Sequence, residues 1–289
     1  MKRLKTIFAI LMFATGVGIA AYPIVSNMLY ERNATQVVES YDDTVKEMDQ
    51  EEIDAAKEAV RKYNEQLQSA IVQDENGEGQ QAGDSYVDMT GVGESIGYIT
   101  IPKIDLELPI YEGSSAEVLQ KGIGHMEQSS YPIGGEGTHS VLTGHRGLPD
   151  AELFTHLDEM EEGDCFYLHV LDEILAYRVD QIKVVEPNET GDLDIIPGED
   201  YCTLVTCTPY SINTHRLLVR GVRTEYNGEL ESDVRYQELQ TGTVARRLID
   251  VLPWLLVAGT VSIGTEGILL WLLIRRKKKR EKEELQGFM

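Results

Sequence analysis

Residues 201–223, YCTLVTCTPYSINTHRLLVRGVR, predict two β-strands joined by a polar turn. Side chains alternate between the two faces of a strand, so Cys207 shares its face with every second residue before it. Pro209 lacks the backbone donor that a central strand requires, so the first strand should end just after Cys207. The alternation that follows Arg216 predicts a second strand that returns beside the first. This pairing would bring Arg216 close to Cys207 at one end of a sheet.

Cys207 is a candidate nucleophile because a strand end beside a loop is a common place for a reactive group. Position alone is weak support, since a free cysteine in a strand is more often a small buried hydrophobe. A nucleophilic thiolate needs a neighbouring base and an electropositive environment. Residues 143–147, TGHRG, supply a histidine, His145, at the end of another predicted strand. Cys207, His145 and Arg216 are therefore the candidate catalytic residues.

Three motifs taken together resemble the sortase transpeptidases. They are TLVTC, which ends at Cys207, the arginine nine residues after that cysteine, and the upstream TGHRG. The resemblance extends over residues 97–223 and includes GYITIPKI. The class C, pilus-building sortases are the most similar group, because of the N-terminal extension, the segment NTHRLLVRG and a second apolar segment near the C-terminus. The resemblance implies a mostly β fold, an eight-stranded sortase-type β-barrel with short helices.

The resemblance also implies a role for each candidate catalytic residue. Cys207 would attack the threonine carbonyl of an LPxTG-type sorting signal and form a thioester. His145 would protonate the leaving amine and later take a proton from the incoming amine, while Arg216 would steady the oxyanion or position the substrate backbone. The implied partners are pilin or surface proteins with LPxTG-like signals and an acceptor lysine of another pilin, at the membrane of a Gram-positive bacterium. No cofactor is implied.

Class C sortases commonly carry an Asp-Pro-aromatic lid motif that covers the cysteine. The nearest match here is Asp84-Ser85-Tyr86, in which serine replaces proline. By this resemblance Asp84 would pair with Arg216 and Tyr86 would cover Cys207 until substrate displaces the lid. Serine leaves the backbone freer than proline does, so we expect a more mobile lid. The alternative is an ordinary polar linker without contact to the site.

The charge and cysteine content exclude several classes of function. The net charge is −23, and the two ends carry net positive charge, so the central region is still more acidic and repels nucleic acid phosphates; a nucleic acid partner is not expected. Three cysteines give no disulfide framework. Cys165 and Cys202 are predicted to be buried thiols, although they could also pair. No metal-ligand spacing and no glycine-rich phosphate loop occur, so we expect neither a metal site nor a cofactor.

Two apolar segments suggest membrane attachment at both ends. Residues 7–25 follow three basic residues and are either a signal peptide or an uncleaved anchor. Residues 251–274 are long enough to cross a bilayer, and the sequence RRKKKR that follows favours the cytoplasm. If the first segment is not cleaved, both termini lie in the cytoplasm and the catalytic domain lies outside.

Between the first apolar segment and the barrel, the apolar spacing of residues 31–71 predicts amphipathic helices. The pattern contains two stripes, and Asp49 with Glu52 forms a potential capping box between them, which favours two helices over one. The stripes are either a face that docks on the catalytic domain or a surface for a partner, and docking is favoured.

The chain is thus predicted to comprise a signal or anchor segment (1–26), a helical extension (27–72), a lid or linker (73–94), the catalytic barrel (95–225), a linker (226–250), a transmembrane helix (251–274) and a basic cytoplasmic tail (275–289). Within the barrel, strands are predicted at 96–104, 108–111, 139–143, 165–170, 175–185, 202–207 and 216–222, and short helical connections at 114–121 and 153–160.

Three functions remain open at this stage. The leading one is a membrane-anchored cysteine transpeptidase that polymerises pilins through lysine side chains. A second is a housekeeping sortase that attaches proteins to peptidoglycan. A third, of a different class, is a catalytically idle membrane scaffold whose acidic domain binds surface proteins.

Overall fold

The structure is a computed structural model that describes residues 2–75, 93–226 and 275. Contacts divide the chain into two units, one of residues 27–243 and one of residues 1–26 with 244–289. The barrel and the helical residues 27–75 belong to the first of these units. The predicted lid residues Asp84 and Tyr86 and the predicted C-terminal span lie outside the described residues.

Two long helices precede the barrel, α1 (Lys2–Glu47) and α2 (Gln50–Glu75). The predicted capping box separates them. The Asp49 side chain accepts a hydrogen bond from the Glu52 backbone N–H at 2.9 Å, and the Glu52 side chain accepts one from the Asp49 N–H at 3.0 Å. These reciprocal bonds satisfy two backbone donors at the start of α2, which confirms the prediction of two helices.

Eight strands form one closed barrel, which confirms the predicted eight-stranded β-barrel. They are β1 (Gly97–Ile101), β2 (Leu106–Glu112), β3 (Ile123–His125), β4 (Thr138–Thr143), β5 (Cys165–Val170), β6 (Glu173–Val185), β7 (Asp200–Thr208) and β8 (His215–Thr224). Their order around the barrel is β1-β2-β3-β4-β7-β8-β6-β5, closed by pairing of β1 with β5. The pairs β2–β3 and β4–β7 are parallel, and the other pairs are antiparallel. A helix α3 (Ala116–Lys121) and three short 3-10 helices (Pro102–Ile104, Leu157–Glu159 and Gly191–Leu193) connect the strands.

The connections show where the sequence pattern was insufficient. The three-residue strand β3 was not predicted, because it is too short to display an alternation. The helix predicted at 153–160 is wrong: only Leu157–Glu159 is helical, as one 3-10 turn. Leu153 has a left-handed φ of 42°, which a continuous right-handed helix does not accommodate.

The interior of the barrel is filled by aliphatic and aromatic side chains, and it is packed closely enough to restrict backbone positions. Phe166 and Tyr177 lie fully buried on neighbouring strands. At Gly221 an added Cβ would lie 2.7 Å from the Phe166 ring and 2.9 Å from the Tyr177 Cβ. Only glycine therefore fits where β8 passes these two rings.

The helices dock on the barrel, as their apolar stripes predicted. Tyr41 of α1 is buried, donates to the Ile96 carbonyl at 3.3 Å and accepts from the Leu171 N–H at 2.8 Å. Val38, one turn earlier in α1, is also buried, whereas its neighbour Val37 is only half-buried. These contacts make α1 from residue 27 onward, together with α2, part of the same hydrophobic core as the barrel.

Within the described residues, no single helix has both the length and the apolarity that crossing a membrane requires. One pair of segments, Ile10–Ile19 and Ala21–Glu47, bent by 42°, meets the length and composition requirement only when both are counted together.

Candidate active site

Strands β7 and β8 place Cys207 and Arg216 side by side. The antiparallel register pairs Cys207 directly with Arg216, between the pairs Thr206–Leu217 and Thr208–His215. Directly opposed residues of an antiparallel pair project to the same face, with Cβ atoms typically about 4.5–5.5 Å apart. Both residues are half-buried at the end of the ladder. The predicted approach of Arg216 to Cys207 is therefore confirmed.

His145 reaches the same barrel mouth from the other side of β7. Strand β4 runs parallel to β7 with Thr143 beside Val205, and the Gly144 N–H donates to the Val205 carbonyl at 3.1 Å. The Thr206 hydroxyl donates to the Gly144 carbonyl at 2.8 Å. Continued by two residues, this register places His145 level with the cysteine on the neighbouring strand.

Close packing fixes the backbone that carries His145. An added Cβ at Gly144 would lie 2.8 Å from Cδ1 of Ile123 and 2.8 Å from Cδ2 of Phe154, and both side chains have 0 % exposure. The Phe154 N–H also donates to the His145 carbonyl at 3.1 Å. The glycine of TGHRG is thus required by lack of space, and the histidine follows it from a rigid position.

Burial distinguishes Cys207 from the other two cysteines. All three are described, and none takes part in a disulfide. Cys202 is fully buried in β7, and burial raises the pKa of its thiol well above the ordinary value, so it stays protonated and inert. Cys165 is half-buried at the start of β5, on the far side of the barrel order from β7. Of the three, only Cys207 pairs with an arginine at the end of the β7–β8 ladder.

The remaining histidines have structural partners. His139 is buried between the Asp194 carbonyl, 2.8 Å from Nδ1, and the Thr203 hydroxyl, 2.7 Å from Nε2. His169 stacks on Tyr98 with ring centroids 4.1 Å apart. Burial lowers the pKa of His139 and lowers that of His169 to about 4, so both stay neutral at physiological pH. The other three, His125, His156 and His215, contact a backbone carbonyl, a carboxylate and a hydroxyl, respectively.

Within residues 2–75 and 93–226, no group of three or more His, Cys, Asp or Glu side chains is arranged to hold a metal ion.

One polar residue at the mouth was not assigned by sequence reasoning. Arg146, directly after His145, donates a hydrogen bond to Thr208, directly after Cys207. Its partner is distant in sequence, so no local signal marks this contact.

A closed barrel that brings a cysteine, a histidine and an arginine to one mouth has the arrangement of a cysteine-dependent enzyme. The family model for the sortase domain matches residues 99–224. The chain belongs to the sortase family.

The structure is similar to solved class C sortases. Sortase C of Streptococcus pneumoniae, studied for catalysis and pilin substrate specificity, is 49% identical with a TM-score of 0.59, and the match covers 66% of this chain and 97% of that one. Sortase C of Clostridium perfringens, solved with its C-terminal cell wall sorting motif, is 43% identical with a TM-score of 0.58, covering 67% and 100%. Sortase D of Bacillus subtilis (strain 168) is 35% identical over 119 residues, which span 41% of this chain and 57% of that protein.

Proposed function

We propose that this chain is a membrane-anchored cysteine transpeptidase that cleaves an LPxTG-like sorting signal and transfers the acyl group to a lysine amine of a pilin. The observation that carries the proposal is the strand register at the barrel mouth, which pairs Cys207 with Arg216 on β8 and, extended two residues past the end of β4, brings His145 to the level of Cys207. Cys207 and Arg216 meet across a hairpin of consecutive strands, whereas His145 approaches them only through pairing of β4 with β7, which are distant in sequence.

In the first half-reaction the Cys207 thiolate attacks the carbonyl carbon of the signal's threonine. The carbonyl oxygen gains negative charge, which the Arg216 guanidinium stabilises; one such donor contributes about 10²–10³ in rate. The threonine–glycine bond then breaks, and His145 protonates the departing glycine amine. The product is a thioester, which divides a difficult amide exchange into two easier acyl transfers.

In the second half-reaction the acceptor lysine amine attacks the thioester carbonyl. His145, now neutral, takes the proton that the amine loses as the new amide bond forms. The carbon–sulfur bond breaks and returns Cys207 as a thiolate for the next cycle. Arginine suits the stabilising role because it stays charged at any relevant pH and offers a planar fork of donors.

Similarity to the S. pneumoniae enzyme, studied for its pilin substrate specificity, supports pilin as the substrate over a housekeeping role at peptidoglycan. Similarity to the C. perfringens enzyme, solved with a sorting motif, supports an LPxTG-like signal as the recognised element. We further propose that the apolar segments 7–25 and 251–274 anchor the enzyme in the membrane of a Gram-positive cell, with the barrel outside.

We also propose that Asp84-Ser85-Tyr86 forms a lid over the mouth. Asp84 supplies a carboxylate that can pair with Arg216, and Tyr86 supplies a ring large enough to exclude substrate from the cysteine. Substrate binding would displace the segment.

The deciding experiment compares cells that carry wild-type chain, Cys207→Ala and Cys165→Ala. We expect Cys207→Ala to abolish high-molecular-weight pilin ladders, and Cys165→Ala, which removes a thiol away from the mouth, to leave them intact. A housekeeping enzyme would instead lose attachment of single surface proteins. Unchanged ladders and unchanged attachment in Cys207→Ala would leave only the scaffold function.

A further inference from the structure

The side chain of Arg146 is almost enclosed, with 8 % exposure, and three of its nitrogens make separate hydrogen bonds. Nε donates to the Thr155 carbonyl at 3.2 Å, Nη1 to the Thr208 hydroxyl at 3.0 Å, and Nη2 to the Asp158 carboxylate at 2.6 Å. The adjacent Gly147 N–H donates to the Thr155 hydroxyl at 3.1 Å. The guanidinium thus joins three separate parts of the chain.

Two of these parts carry the reacting groups. Arg146 follows His145 in the chain, and Thr208 follows Cys207, so the bond between Arg146 and Thr208 links the residues next to the base and the nucleophile. No backbone bond between β4 and β7 continues past Gly144 in the described structure. Arg146 therefore supplies a side-chain link where the strand ladder has ended.

An aromatic ring covers the same link. The Tyr210 ring centroid lies 6.0 Å from the Arg146 guanidinium carbon. An added Cβ at Gly147, which has a left-handed φ of 80°, would lie 2.9 Å from the Tyr210 ring. The ring therefore packs directly on the loop after His145, and it limits the access of water to the guanidinium.

We propose that Arg146 is a positioning residue that fixes His145 relative to Cys207 through its hydrogen bond to Thr208. This inference rests on the proposed transpeptidase function and adds to it a residue that does not touch the substrate. Displacing a catalytic group by about 1 Å can lower a rate about 10²-fold without altering substrate binding. Loss of the link should therefore act on kcat rather than on KM.

A purely structural ion pair would behave differently. Asp158 is 48 % exposed, and ion pairs with an exposed partner contribute little to stability. A purely structural role would need only the ion pair between Arg146 and Asp158, and not the hydrogen bond from Arg146 to Thr208. Lysine cannot replace Arg146, because a single ammonium group cannot reach three divergent acceptors from one position.

The test measures cleavage of an LPxTG peptide by the full-length chain in detergent, with kcat and KM determined separately. The variants are Arg146→Gln, Arg146→Lys, Thr208→Val and the double variant Arg146→Gln/Thr208→Val. Arg220→Gln is the matched control, since Arg220 makes a comparable two-point bond to Asp180 (3.1 and 2.7 Å) on the barrel wall. Thermal unfolding and thiol titration report the folded fraction of each preparation.

We expect Arg146→Gln and Arg146→Lys to lower kcat about 10–10²-fold with KM within twofold of wild type, and Arg220→Gln to retain wild-type kcat. Thr208→Val keeps the other Arg146 bonds and should lower kcat in the same direction. The double variant should fall no further than Arg146→Gln, because both changes remove one link.

The inference is overturned if Arg146→Gln retains the kcat of the Arg220→Gln control, if only KM changes, or if the two changes are additive in the double variant. Should Arg146→Gln fail to fold, Thr208→Val decides, and wild-type kcat in that variant overturns the inference. Lack of turnover by the wild-type chain would refute the proposed function and the inference together, whereas wild-type turnover with unaffected variants refutes the inference alone.

Discussion

Asn64 offers a quantitative test of how the helical extension is held on the barrel. It lies in α2 with 5 % exposure, and its amide spans the backbone of Tyr131: Oδ1 accepts from the Tyr131 N–H at 2.8 Å, and Nδ2 donates to the Tyr131 carbonyl at 3.2 Å. That carbonyl also accepts from the Ile133 N–H at 2.8 Å, so it keeps a partner when Asn64 is removed. The Tyr131 N–H, in contrast, loses its hydrogen bond to Oδ1.

Asn64→Ala should therefore cost the desolvation of one buried N–H, about 1–3 kcal/mol, and one hydrogen bond to a carbonyl that keeps another donor, about 0.5–1.5 kcal/mol. The higher helix propensity of alanine returns about 0.5 kcal/mol. We expect a loss of about 1–4 kcal/mol in the free energy of unfolding, measured by urea denaturation of residues 27–243.

The control is Gln66→Ala in the same helix, which truncates an exposed side chain. This change should stay within about 0.5 kcal/mol of wild type. If Asn64→Ala were as stable as the control, the docking of α2 would not depend on this pair of bonds, and the account of the interface would be refuted.

Three further predictions concern the site, the core and the lid. Gly144→Ala should destabilise the fold by about 1–3 kcal/mol by overpacking and lower kcat in peptide cleavage. Gly191→Ala, whose new Cβ would lie an unstrained 3.9 Å from the Asp194 carboxylate, should change neither, and equal effects would contradict the packing argument. Burial lowers the pKa of His169 from 6.5 to about 4, so between pH 6.5 and 4 the unfolded chain binds more protons than the folded chain and the free energy of unfolding falls as the pH drops. Denaturation at pH 7 and pH 4.5 should show that His169→Gln removes up to about 3 kcal/mol of this fall. Identical pH dependence in the variant and the wild type would disprove the role of His169. Replacing Asp84 and Tyr86 by alanine should raise the alkylation rate of the nucleophilic cysteine, and unchanged labelling would dispose of the lid.

Local sequence patterns predicted those parts of the structure that depend on neighbouring residues. The alternation around Cys207 and Arg216 gave the β-hairpin and its register, because the two strands are consecutive and one short turn joins them. The capping box at Asp49 and Glu52 gave the break between the helices, because both of its bonds are local.

Contacts between distant segments were not predictable in the same way. That His145 lies level with Cys207 depends on parallel pairing of β4 with β7, strands separated by two others in the chain, and periodicity does not reveal which strands pair. The family resemblance, rather than periodicity, predicted that His145 and Cys207 lie at the same site. Arg146 was missed for the same reason, since its acceptors lie on two other segments.

The central claim is that Cys207 becomes acylated during turnover, and trapping the intermediate tests it most directly. The full-length chain would be mixed with an LPxTG peptide, quenched in acid within the first turnover, digested and examined by mass spectrometry. The account predicts a thioester to the signal's threonine on the fragment that contains Cys207, and neither adduct nor cleavage in Cys207→Ala. Cleavage that continues in Cys207→Ala, or an adduct on Cys165 instead, would contradict it.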